Sequence, residues 1–266
     1  MLMAVKKNLN FMIKNWKYNL LSALEYKKSF FSQIIFMIIN NGFFLIYWYT
    51  VFNVNNNEIN GFAFKDILYL WSLAPISYGI ANFLFGGLDE LNRYIINGEL
   101  DIFFLQPKNI FLNVATSKSR ISALGDLIYG IVIACFAISS FYELILFCFF
   151  IIVGVILFTC TKTIIMMLGV WIGDVENIFS IYENSLLLTF SSYPESIFKN
   201  WFRALMYTVV PAAYIVHIPI SLTKAFDVKL LIITLIAVVI YIIMTKSIFT
   251  KGLRKYESGS SISLKS

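Results

Sequence analysis

The sequence predicts an all-α polytopic membrane protein: six transmembrane helices, an N-terminal amphipathic interfacial helix, and a cytoplasmic helical segment between spans two and three. Three observations lead there. The 266 residues are 59% hydrophobic and only 14% charged, whereas a soluble domain averages roughly 25% charged residues. A single soluble core cannot hide that much apolar surface, so lipid must be the solvent for most of the chain. The apolar residues also fall into runs of about twenty, enough to cross roughly 30 Å at 1.5 Å per residue. Finally, the basic residues gather between these runs, and mostly on one side of them.

In chain order, residues 1–28 come first. Leu9, Met12, Ile13, Trp16, Leu20 and Leu24 recur at helical spacing, with lysines and asparagines on the other side. That is the pattern of a helix lying on a membrane; a solvated helix leading into the first span is the alternative. Six lysines (Lys6, Lys7, Lys14, Lys17, Lys27 and Lys28) and no continuous apolar core before a small-residue cleavage site argue against a signal peptide. The first span is expected at 30–52, with Asn40 and Asn41 near its centre; amides in lipid bond neighbouring helices. VNNNEING (54–61) reads as a polar turn. The second span is expected at 66–85 and contains Pro75, and a polar region covers 86–119. Spans three to five are expected at 121–141, 144–168 and 170–190, followed by a proline-marked segment, 191–222. The last span is expected at 228–248, and a basic tail, 251–266, ends Ser-rich.

Six crossings put both termini on one side. Fifteen Lys and Arg then fall inside and five outside, with Lys162 within a span. This is the asymmetry of cytoplasmic termini, and it explains the net charge of +6 without nucleic acid. The abundance of Ile, Asn, Lys and Phe suggests an AT-rich bacterial genome, hence a bacterial cytoplasmic membrane. Cys135, Cys148 and Cys160 lie in apolar runs without metal-ligand spacing and read as small hydrophobes. The one histidine, His217, cannot build a histidine metal site and reads as packing or interfacial. No metal site is expected.

LDELNRYIIN (88–97) places Leu88, Leu91 and Ile95, flanked by Tyr94, on one helical face, with Asp89, Glu90, Asn92 and Arg93 elsewhere. Gly98 follows where a helix C-cap belongs. ELDIFFL starts a second short element that Pro107 closes. The pair reads as amphipathic helices at the membrane edge with charges free for a partner, or as a plain connecting loop.

INGELDIFFLQPKNIF resembles the cytoplasmic segment of the ABC type-2 exporter permeases, matching at Gly98, Leu100, Asp101, Leu105 and Pro107. SSYPESIF…VVPAAYIVHIPISL (191–222) is similar to that family's extracellular proline-marked segment, with Tyr193, Pro194, Pro211 and Pro219. KGLRKYES (251–258) is similar to its closing motif. The pieces occur in the family's order over nearly the whole chain. One departure is that Asn97 or Gln106 stands where the family usually has Arg. The resemblance implies a non-catalytic permease subunit that forms the substrate pathway as a dimer with a second permease chain, identical or related. It implies separate ATPase subunits that hold ATP and Mg and dock on 88–107. Leu88, Leu91, Arg93, Gly98, Glu99, Leu100, Asp101, Leu105 and Pro107 are the expected coupling residues. The chain itself lacks the phosphate-cradling GxxxxGK[ST]: Gly125 and Gly130 have the spacing, but Ile131 and Val132 follow.

Acidic side chains inside a span are costly and usually face a cavity or partner. Asp174, Glu176 and Glu183 are therefore pathway candidates beside Asn40 and Asn41, although Asp174 and Glu176 also read as edge residues, solvated or paired with Arg93 or Lys118. Gly169 and Gly173 form a GxxxG that can bring helices close, or arise by chance. Lys162 either snorkels or pairs with an acid on a neighbouring span. The cluster Phe43, Phe44, Tyr47, Trp48 and Tyr49 reads as an interfacial belt rather than a ligand cage. The rival function is an ion-gradient-driven carrier, which commonly shows an internal repeat; none is visible here. A membrane enzyme would need a clustered catalytic set that this sequence lacks.

Overall fold

The structure is a computed structural model that describes residues 2–55, 58–59 and 61–256. The Ser-rich part of the tail, 257–266, and three asparagines of the 54–61 turn lie outside the described residues. The fold is all-α apart from one two-residue antiparallel pairing, β1 (Glu58–Ile59) with β2 (Phe62–Ala63).

Helix α1 (Leu2–Glu25) leads into α2 (Lys27–Val54). The Trp16 indole donates to the Leu84 carbonyl at 2.7 Å, and the Asn15 and Asn19 amides donate to Thr116 and Ser119. These bonds hold α1 against one end of the bundle, while Leu9 and Ile13 stay exposed. Helix α3 (Phe64–Phe85) starts at the opposite end, where Asp66 accepts from the Ala63 amide at 2.9 Å. It runs through a 3-10 turn (Gly86–Glu90) into α4 (Leu91–Ile96). Then come α5 (Asp101–Phe104) and α6 (Ile110–Ala115). Pro107 cannot continue a helix with its missing N–H, and Asn109 caps α6 by accepting from Leu112 N at 3.1 Å.

Helices α7 (Ala123–Ala137) and α8 (Phe141–Met167) return across the bundle. Ser140 accepts from Glu143 N, and Glu143 accepts from Ser139 N at 2.7 Å, so this start is capped twice. The most extensive packing is of α3 on α7. A Cβ on Gly79 would stand 2.8 Å from the Ala123 carbonyl oxygen, and one on Gly130 would stand 2.6 Å from Ile76 Cγ1. Small residues let helix backbones meet without a hydrophobic drive between them.

After α8 the chain forms α9 (Gly169–Ile172), α10 (Glu176–Ile181), a π-helical stretch (Tyr182–Leu187) and α11 (Leu188–Ser192). Helix α12 (Asn200–Thr208) is followed by a π-helical turn (Ala213–His217) and α13 (Ile218–Lys224). The two halves of this segment bend by 87°. Helix α14 (Val228–Lys255), capped by Asp227 on Lys229 N at 2.8 Å, closes the bundle. Phe249 and Tyr256 at its far end meet Phe111 and Phe104, so α14 finishes beside the 86–119 segment and α1.

Two expected spans differ from the helices formed. The 121–141 run yields only the 15 residues of α7, about 22 Å of helix and too short to cross alone. Ile138 turns extended (ψ 122°) toward the Ser140 cap. The 170–190 run is broken, not continuous. Gly173 has φ +85°, a backbone conformation L side chains rarely adopt, and Asp174 restarts the helix by accepting from Glu176 N at 2.9 Å. The GxxxG of Gly169 and Gly173 therefore spans a break rather than one helical face: Gly169 packs against Asn92 of α4, while a Cβ on Gly173 would meet nothing within 4 Å. Among the described residues, four helices can cross a membrane by length and composition, or five if the bent pair counts as one.

Candidate functional site

Two regions concentrate polar chemistry, and they adjoin. The first is the 86–119 segment. Leu88, Leu91 and Leu100 are fully buried. With Tyr94, Ile95 and Phe103 they pack against Met166 and Met167 of α8, Val175 and Phe179 past the helix break, and Phe249 of α14. The face predicted from spacing is thus an anchor onto three membrane helices, out of reach of any partner. The outward face holds Arg93, Pro107 and Leu105, the last 86% exposed. Glu99, Asp101 and Gly98 are half-buried. Ile96, Ile102 and Phe104, which spacing did not single out, complete this exposed surface. Gly98 sits at φ +73° and ends α4, with Leu100 N donating to the Tyr94 carbonyl at 3.1 Å. Glu90 holds both Arg93 and Lys118 at 2.8 Å. Of the two edge readings of Asp174 and Glu176, solvated or paired with those cations, the first holds: both acids are exposed and form no ion pair among the described residues. Burial and the neighbouring Asp101 carboxylate push the Tyr256 hydroxyl up to about 12.

Asn92 ties this segment to the broken helix. Its side chain is fully buried. The amide nitrogen donates to the Gly173 carbonyl at 3.1 Å, and the amide oxygen accepts from Val175 N at 3.2 Å. One side chain thereby satisfies backbone on both sides of the break, where the interrupted helix has freed it.

The second region lies within the bundle. Lys162 is buried and pairs with Asp89 at 2.5 Å while donating to Asn82. It does not snorkel but meets an acid of the neighbouring apolar stretch Phe64–Ile96, in the 3-10 turn that leads into α4. Arg120 approaches Asp89 at 3.3 Å and Glu183 at 3.6 Å, and donates to the Tyr78 hydroxyl at 2.6 Å. Buried Asp126 accepts from the Asn41 amide at 2.7 Å, the interhelical bond expected for that asparagine. Burial at this depth favours pairing, because an uncompensated charge costs several kcal/mol.

A cavity of about 350 Å³ opens beside these groups. Arg120, Asp126 and Glu183 form its charged floor, and Phe44, Trp71 and Phe158 stand in its wall. Asn40 reaches the same cavity from an exposed position on α2. The aromatic cluster of α2 divides: Phe44 stacks on Trp71 at 5.2 Å, whereas Trp48 is buried against Tyr193 at 5.4 Å. Pro194, Pro211 and Pro219 are all buried, Pro211 at the bend between α12 and α13. His217 is a packing residue, its Nε2 bonded to the Phe190 carbonyl at 2.9 Å. Of the cysteines only Cys160 is buried; Cys135 and Cys148 lie on the outer surface. Among the described residues no cluster of His, Cys, Asp or Glu could hold a metal.

Sequence reasoning missed Arg120, Asp126, Asp89 and Asn92. Asp126 carried the same signal as Glu183, an acid inside an apolar run. Arg120, at the edge of a run, looked like an ordinary topology charge, and nothing in the spacing marks Asn92 as a bridge.

The arrangement can bind a polar or charged group within the membrane and link it to an anchored segment at the bundle's end. No curated protein and no solved structure gives a significant match to this chain. The family described as ABC-2 family transporter protein matches residues 37–260, which take in the cavity, the 86–119 segment and the last helix. The chain belongs to the ABC-2 transporter family and is the membrane-spanning permease of an ABC transporter.

Proposed function

We propose that this chain is the permease subunit of an ATP-driven exporter, working as a dimer of identical or related permeases on separate ATPase subunits. The observation that carries this reading is the build of the 86–119 segment. Its apolar face is locked onto α8, α14 and the broken helix, while its other face presents Ile96, Ile102, Phe104 and Leu105 outward. Exposed apolar side chains grouped on a rigid element mark a protein contact. In this reading the ATPase grips that face, with Arg93, Glu99, Asp101 and Pro107 at its rim, and Gly98 fixes the turn. Leu88, Leu91 and Leu100 transmit the motion rather than touch the partner. ATP and Mg bind on the partner subunit. ATP must favour one arrangement of the bundle over the other for anything to shift.

The end of the bundle that holds α1, the 86–119 segment and the finish of α14 is then cytoplasmic, in keeping with its lysines and arginines. The 191–222 segment faces the other side, and α1 rests on lipid headgroups in a bacterial plasma membrane.

The buried charges and the broken helix are also features of gradient-driven carriers, so the test must separate the two. The tagged chain is purified from its host in mild detergent, and the accompanying proteins are reconstituted with it. Co-purification of a P-loop ATPase and transport that requires ATP support the exporter. A chain that emerges alone and transports on an ion gradient refutes it.

A further inference from the structure

The cavity's charges do not balance. Lys162 and Arg120 are the cations of the cluster; Asp89 and Glu183 answer them. Asp126 is left over. It is 4% exposed and, among the described residues, its one hydrogen-bond partner is the neutral Asn41 amide. It also lines the cavity. A buried polar group elsewhere in the lining, the Ser191 hydroxyl, is 3% exposed and has no hydrogen-bond partner among the described residues. Buried polar groups in proteins are almost always paired, and an ionisable residue inside a membrane marks a site. Above this polar floor the wall is aromatic, with the Phe44 ring stacked on Trp71 at an interplanar angle of 24°. Aromatic faces attract cations as well as apolar bodies. An anion would have to displace Asp89, Glu183 or the Tyr78 hydroxyl from Arg120, whereas a cation meets an acid that forms no ion pair among the described residues.

We propose that this cavity is a substrate site for an amphipathic organic cation, with its positive end at Asp126 and its apolar body against Phe44 and Trp71. The volume of about 350 Å³ suits a molecule of drug size. The proposal rests on the exporter reading for its role as substrate site, but binding itself is measured without ATP.

The purified complex in lipid nanodiscs is titrated with ethidium, a planar aromatic cation, and with anilinonaphthalene sulfonate, an anion of similar size. Ethidium is expected to bind at least tenfold more tightly than the anion. Asp126→Asn should weaken ethidium at least tenfold. Ala74→Trp, which fills the cavity without altering its charge, should abolish ethidium binding and serves if Asp126→Asn does not fold. Equal binding of both probes, or ethidium binding untouched by both variants, overturns the cation site. ATPase co-purification is read on the same wild-type sample, so its absence refutes the exporter reading separately from this one.

Discussion

Replacing Asn92 by alanine removes both hydrogen bonds that hold the helix break. The Gly173 carbonyl and Val175 amide, 3.1 and 3.2 Å from the side chain, are then left without these partners. Gly173 is exposed and its carbonyl can turn to water, whereas Val175 is buried; an unsatisfied buried polar group costs roughly 1–3 kcal/mol, so local opening of the break becomes easier by about that amount. At 1.4 kcal/mol per factor of ten, amide protection should fall by about fivefold to a hundredfold. Hydrogen exchange followed by mass spectrometry reads this in peptides covering 173–181. Asn92→Asp keeps the acceptor for Val175 and loses the donor to Gly173, so it should sit between wild type and alanine. An independent perturbation attacks the bridge from the other side. A Cβ on Gly169 would lie 1.8 Å from the Asn92 amide nitrogen, so Gly169→Ala should dislodge Asn92 and reproduce the exchange pattern. The reasoning fails if peptides over 173–181 exchange alike in wild type and Asn92→Ala, or if Gly169→Ala leaves them protected.

Two further outcomes follow from packing and charge. Asp89→Asn deprives both Lys162 and Arg120 of their shared carboxylate; breaking a buried pair costs about 3–5 kcal/mol, read as a lower unfolding midpoint in detergent, with Asp89→Leu combined with Lys162→Met recovering part of it. Gly79→Val forces side-chain atoms into the Ala123 carbonyl, 2.8 Å from an ideal Cβ, and should lower stability by about 1–3 kcal/mol. Gly42→Ala, with nothing within 4 Å of the added carbon, should leave the melting temperature unchanged or higher.

The membrane fold was legible because lipid burial writes itself as long apolar runs. Less legible was where those runs fail as helices. Gly173 breaks one of them through a backbone conformation, which hydropathy averages over. The 121–141 run ends early because Ser140 and Glu143 cap the next helix, a local contest that apolar content does not register. For the 86–119 segment, the 3.6-residue spacing of Leu88, Leu91 and Ile95 correctly grouped them on one face. It could not tell whether that face met a partner or the bundle, since both bury leucine alike. The intramembrane cluster joins residues far apart in sequence: Asp89, Arg120, Lys162 and Glu183. Only the fold brings these together. Asp126 was readable as an acid in an apolar run, but its bond to Asn41 depends on how α2 packs on α7.

The central claim is that an ATPase grips the outward face of the 86–119 segment, and site-specific photocrosslinking tests it most directly. A photoreactive phenylalanine analogue is placed at Leu105, 86% exposed on that face, and separately at Ile145, 55% exposed near the opposite end of α8. The account predicts a crosslink from position 105 to a P-loop ATPase in membranes of the native host, and none from position 145. An ATPase captured equally from both positions, or from neither, would contradict it.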